Sequence, residues 1–208
     1  GPNAGGFDVS FYTIPKVDLL AATPTIANLS RFEALNSGTA GSSVQPVVDF
    51  SGTSDDTATF LGNGPSGLLF RTDVTGVTGP NATLGASVSL VVPAFSSAQP
   101  GRQPGGVTPL ENVTPRFTGN VFLVNGSLWA AHAVQDTTNN SSAVRWYEID
   151  EATNSLLQTG LITDPNLDFL DPSIAVNALG TVVIGFTGTG PAQNPSSYVT
   201  VGQTVGGV

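Results

Sequence analysis

Asp164, Asn166, Asp168 and Asp171 crowd into the stretch TDPNLDFLDPS. Hard oxygen donors at such spacing in a loop suit Ca²⁺, so these four are the candidate metal ligands. The run begins D-x-N-x-D, but Phe169 stands where an EF-hand loop needs glycine, and the glutamate at its twelfth position is missing. Asp-Pro also serves to start turns. A second, weaker acidic group is Asp49, Asp55 and Asp56 in DFSGTSDD. Paired carboxylates are the equipment of glycoside hydrolysis; fifteen acidic residues in the chain single out no pair.

The aromatic candidates are Trp129, Trp146 and Tyr147, whose ring faces suit the C–H faces of sugars. His132, the one histidine, sits in SLWAAHAV. These four are the candidate ligand-binding residues. Each has a competing structural reading. Both tryptophans lie mid-strand, where burial is the default, and a neutral imidazole on a strand apolar on both faces satisfies a core hydrogen bond. No G-x-S-x-G elbow supplies a nucleophile for the histidine, and none of the glycine-rich stretches carries the lysine of a phosphate loop.

Composition narrows the function classes. Charged residues make up 10% of the 208, net charge is −9, and the cations are Lys16 and five scattered arginines. Phosphate backbones are bound by clustered cations, so a nucleic-acid partner is not expected, nor is an anionic membrane surface. No apolar run reaches membrane length. With no cysteine, thiolate metal sites and disulfides are excluded. Scarce lysine and abundant Gly, Ser and Thr point to an extracellular or cell-surface location. N-x-S/T sequons at Asn28, Asn81, Asn125, Asn139 and Asn140 are candidate glycosylation sites; a sixth, Asn112, is followed by Val-Thr-Pro, which disfavours it. The absence of methionine and the opening Gly-Pro read as a processed or excised product.

The elements that must position these residues are strands almost throughout. Alternating or β-branched runs predict strands at 7–14, 30–35, 42–50, 57–62, 67–76, 86–92, 119–125, 127–134, 143–149 and 155–162. A hairpin at 171–190 and a last strand from 196 complete the set. Asn125-Gly126 between apolar runs signals a tight hairpin turn. KVDLLAA, cut by Pro24, predicts a single helical turn. Residues 93–115 hold five prolines and three glycines and predict a long connection without regular structure, of the kind that is pinned to a surface or functional.

Pro46, Pro115 and Pro172 each open an extended segment, a turn and a more apolar strand. After the first two, a third and a fourth strand follow. A repeated four-strand meander is the signature of propeller blades. NGSLWAAHAV, SAVRWYEID, TGLITDP and DPSIAVNALGTVVIGFTGTG resemble a family of large secreted, largely uncharacterised proteins with sialidase-like β-propeller blades. The resemblance spans about residues 7–200 and implies the fold rather than an activity. The Asp-box S-x-D-x-G-x-T-W is missing, and Arg31, Arg71, Arg102, Arg116 and Arg145 do not place the sialidase arginine cluster.

The chain is therefore expected to be one all-β region, 1–208, forming part of a β-propeller of four-stranded antiparallel blades, two full and two partial. Propellers close with about four to eight blades. An unclosed set leaves strand edges and faces bare, so completion by a second polypeptide, a precursor fragment or a partner subunit, is expected. The functional expectation is a non-catalytic extracellular recognition or structural module, with glycans as a possible ligand. The alternative is an extracellular glycan-active hydrolase or lyase with acids near the propeller axis.

Overall fold

A computed structural model describes residues 8–51, 56–112 and 115–203. The chain is all-β. In order, the strands are β1 (Asp8–Thr13), β2 (Ser30–Asn36), β3 (Ser42–Asp49), β4 (Thr57–Asn63), β5 (Leu68–Thr75), β6 (Thr83–Leu84) and β7 (Val88–Val91). Then come β8 (Val121–Val124), β9 (Ser127–Asp136), β10 (Ser141–Asp150), β11 (Leu156–Ile162), β12 (Asp168–Val176), β13 (Thr181–Gly190) and β14 (Gln193–Gln203). Two single-turn helices are α1 (Lys16–Leu19), as predicted, and α2 (Ser37–Ala40). The α2 turn has no apolar periodicity to announce it; Asn36 starts it by accepting the Gly38 N–H at 2.7 Å. Among the described residues no helix is long and apolar enough to cross a membrane.

Two four-stranded antiparallel meanders form, β3-β4-β5-β7 and β8-β9-β10-β11, with short β6 sharing the β5 edge. Their first strands lie side by side in parallel, Val47 opposite Val121 and Asp49 opposite Leu123, so both meanders belong to one sheet. The two halves of that sheet pack face to face about this seam without closing a barrel. Leu61, Leu69 and Leu90 from one half meet Leu128, Val134, Tyr147 and Ile149 from the other, all buried. Burying each such side chain contributes roughly 1.5–3 kcal/mol.

A third, three-stranded sheet, β12-β13-β14, packs on the far face of the second meander. Phe169, Ile174, Ile184 and Phe186 there meet Trp129, Ala131 and Val144. β9 is thus covered on both faces, which is why SLWAAHAV carries no polar alternation. At the other end, the β1–β2 hairpin is joined to the first meander by Phe11 stacked on Phe60, ring centroids 4.6 Å apart.

Among its described residues, the 93–115 segment has no strand, only one 3₁₀ turn at Pro104–Gly106 and a single bridge between Gly101 and Leu110. It is stitched down nonetheless. Phe95 and Ala98 are buried, and the Gln99 carbonyl accepts from Ser142 Oγ at 2.7 Å. Besides α2 and β6, which no pattern in the sequence marks, one strand start differs from the sequence expectation: the hairpin is expected from residue 171, but β12 starts at Asp168 and carries its register break at Asp171-Pro172. The proline is accommodated because the bulge removes the ladder position that would need its N–H.

Candidate functional site

β9 and β10 pair without interruption, Trp129 opposite Glu148 and His132 opposite Arg145. Side chains alternate across a sheet, so Trp129 and His132, three apart, point to opposite faces, as do Trp146 and Tyr147. The four aromatic candidates therefore divide into two pairs.

His132 and Tyr147 face the first meander and are fully buried. His132 Nε2 lies 2.8 Å from Tyr147 Oη, and its Nδ1 lies 3.0 Å from the Pro115 carbonyl and 2.9 Å from Asn63 Nδ2. Phe95 approaches the imidazole edge-on at 4.8 Å. Burial lowers the His132 pKa to about 4, assisted by the nearby Arg145 charge and opposed by the Pro115 hydrogen bond. Burial also raises the Tyr147 pKa. Both are neutral core groups at physiological pH, sealed from any soluble ligand.

Trp129 and Trp146 face the third sheet, near-parallel at 19° with centroids 6.2 Å apart. They border a cleft of about 240 Å³ between the β10–β11 side of the second meander and the β13–β14 side of the third sheet. Ile162, Val182 and Ile184 complete its apolar walls; Gln158, Thr200 and Gln203 supply polar groups. Trp129 is 3% exposed, so Trp146 is the half-buried indole that meets the opening. Its seat is made by Gly160, the cross-strand residue: a Cβ there would lie 2.5 Å from the indole nitrogen. Gly160, Gln158 and Thr200 were not singled out from sequence. A tryptophan opposite a glycine on adjacent strands is the signal that leads to the first of them.

The four metal candidates do not converge. Asp164 Oδ1 accepts the Asn166 N–H at 2.7 Å in a local turn. Asp168, 1% exposed, is an anchor: Arg102 donates from Nε at 2.7 Å and from its backbone N–H at 2.9 Å, and Ser142 N–H at 3.0 Å. Asp171 is exposed on the bulge with φ 47°, and partial desolvation of its carboxyl raises its pKa. Among the described residues no three acids or histidines gather as a cation site. Of the second acidic group, Asp55 lies outside the described residues. Asp49 accepts from Ser51 N–H at 2.7 Å; the Thr78 hydroxyl, followed by the Thr78 N–H at 2.7 Å, lowers the pKa of Asp56.

Among the sequons, Asn28 donates to Asp18 Oδ1 at 3.0 Å and Asn125 to the Ala178 carbonyl at 2.9 Å. Asn139 donates to Asp136 Oδ2 at 2.7 Å, and Asn140 Oδ1 accepts from Gln99 Nε2 at 2.6 Å. Asn81 stands exposed in the turn before β6.

Comparison with protein-family models finds no match, and comparison with curated proteins finds none either.

Proposed function

We propose that this chain is a run of blades from an extracellular β-propeller, a non-catalytic structural and recognition module completed by another polypeptide. The observation that carries the reading is a difference between two faces of one sheet. On β13, Val182, Ile184 and Phe186 are buried against the second meander, whereas Val183 is 39% exposed on the opposite side. Its cross-strand neighbour Val201 is 64% exposed and Val199 66%. Ser173, Ala175 and Gly185 share this outer face by register. No residue from Pro172 to the end of the chain is charged. A flat, uncharged face of small and β-branched residues costs little to desolvate. The second meander, covered on both sides, supports a further β-sheet as the match for such a face.

The non-catalytic part rests on how the ionisable groups are used. Arg71 ties Asp73 to Glu151 across the two halves of the large sheet, Arg102 ties Asp168, and His132 is neutral in the core. The extracellular part rests on the composition and on the exposed sequon at Asn81.

Sedimentation of the purified chain over a concentration series tests the reading. Wild type self-associates and binds an apolar dye, while Val199→Lys/Val201→Lys stays monomeric and dye-free with an unchanged Tm. A wild type that remains monomeric, dark to the dye and indistinguishable from the variant overturns it.

A further inference from the structure

Two four-stranded meanders form, whereas among the described residues the third sheet has three strands, with β14 pairing on one side only. The edge of β14 runs over Gln193–Gln203; Pro195 interrupts its start, but Ser196–Gln203 carries no proline, lysine or inward charge of the kind that guards natural edges. Its end lines the tryptophan cleft. Tyr198, Thr200 and Gly202 are paired with Phe186, Ile184 and Val182 and share their inward face. Tyr198 packs there on Phe186, rings 7° from parallel. Two residues on, Thr200 is short and Gly202 has no side chain; a Cβ at Gly202 would meet nothing within 4 Å. The apolar floor of Trp146 and Ile162 faces this gap.

We propose that the free edge of β14 takes one more antiparallel β-strand from another polypeptide, and that an inward apolar side chain of that strand fills the cleft over Trp146. A strand added about 4.8 Å from β14 continues the sheet across the cleft, and alternate residues opposite Thr200 and Gly202 point into it. Main-chain hydrogen bonds give the affinity and the cleft the side-chain preference. The fourth strands already in the chain define the donor's chemistry: β7 is VSLV and β11 is LLQTGLI, both uncharged, with Leu90 buried in β7 and Leu156 and Ile162 half-buried in β11. This proposal rests on reading the two meanders and the third sheet as successive blades, but it concerns an edge rather than the outer face.

A synthetic peptide of residues 155–162, SLLQTGLI flanked by lysines, tests it against the whole chain. The peptide is expected to quench tryptophan emission saturably and to protect β14 amides from hydrogen exchange. Two backbone N-methylated versions, blocking alternate N–H groups, separate edge pairing from greasy adhesion. The version blocked toward β14 should bind at least about tenfold more weakly, while the other binds as the parent does. Absence of quenching up to millimolar peptide, equal binding of both N-methylated forms, or quenching by neutral oligosaccharides instead would each overturn the proposal. A null result here, with Val199→Lys/Val201→Lys still suppressing association, overturns the added strand alone and leaves the outer-face reading standing.

Discussion

Trp146 sits across Gly160, its partner on the neighbouring strand, at a separation that leaves no room for a methyl group. The two residues come from different strands, yet each fixes the other: the indole needs bare backbone beneath it, and the glycine's missing side chain is replaced by the ring.

Gly160→Ala is therefore expected to push the indole off β11 and reshape the cleft. Overpacking of this kind costs about 1–3 kcal/mol. Chemical unfolding measures the loss, and a shifted tryptophan emission shows where it arises. An alanine variant with native stability and emission would contradict the seat described here.

Arg102 and Asp168 join the long 93–115 connection to the third sheet across 66 residues of sequence. The carboxylate is sealed while the guanidinium is 38% exposed. Removing Arg102 leaves a buried charge with only backbone donors. Arg102→Ala is expected to cost about 2–3 kcal/mol, discounted from the fully buried case because the guanidinium is partly solvated. In a double-mutant cycle with Asp168→Ala, the two losses should fall short of additivity by about 1–3 kcal/mol. Additive losses would mean that the pair is not coupled.

His132 makes folding sensitive to acid. Its folded pKa, about 4, lies below the unfolded value of 6.5, so below pH 6.5 the unfolded chain binds the proton more readily. The stability this group supplies is complete above pH 6.5 and is lost as pH falls through 4. The full difference is on the order of 3 kcal/mol. Unfolding of His132→Gln should be less stable at pH 7 but markedly flatter between pH 6.5 and 4. Parallel pH profiles for variant and wild type would remove the histidine from this account.

Asn125 and Gly126 both hold positive φ, 51° and 78°, in the β8–β9 turn. Gly126→Ala should cost roughly 1–2 kcal/mol, the left-handed penalty for a side chain. Asn125→Gly tolerates the turn and removes only the 2.9 Å bond to Ala178, so its loss should be smaller, about 0.5–1 kcal/mol. Equal losses for the two would show that the turn conformation is not what the sequence selects.

Some of the candidate site was readable before any coordinates. Trp129 and His132 are separated by an odd number on one strand, and Trp146 and Tyr147 are adjacent, so neither pair can share a face. Grouping all four as one ligand site overlooked that parity. Which tryptophan meets which indole needed the β9–β10 register, set by the turn at Thr137–Asn140. The acidic run misled because spacing alone suits a loop site; β12 begins within it, and Arg102, distant in sequence, claims Asp168.

The sequence by itself determined most of the strands and turns and the all-β class, though not β6, α2 or the start of β12, because alternation and positive-φ turn residues act over two to four positions and need no knowledge of distant chain. It also determined that the stretch from Pro172 onward carries no charged side chain. Only the tertiary structure decided that the two meanders share a sheet through parallel β3 and β8, that Arg102 reaches Asp168, and that one face of β12–β14 is covered while the other is bare. Those outcomes depend on which surfaces meet after local elements have formed, and burial energy responds to shape and contact across the whole chain rather than to neighbours along it.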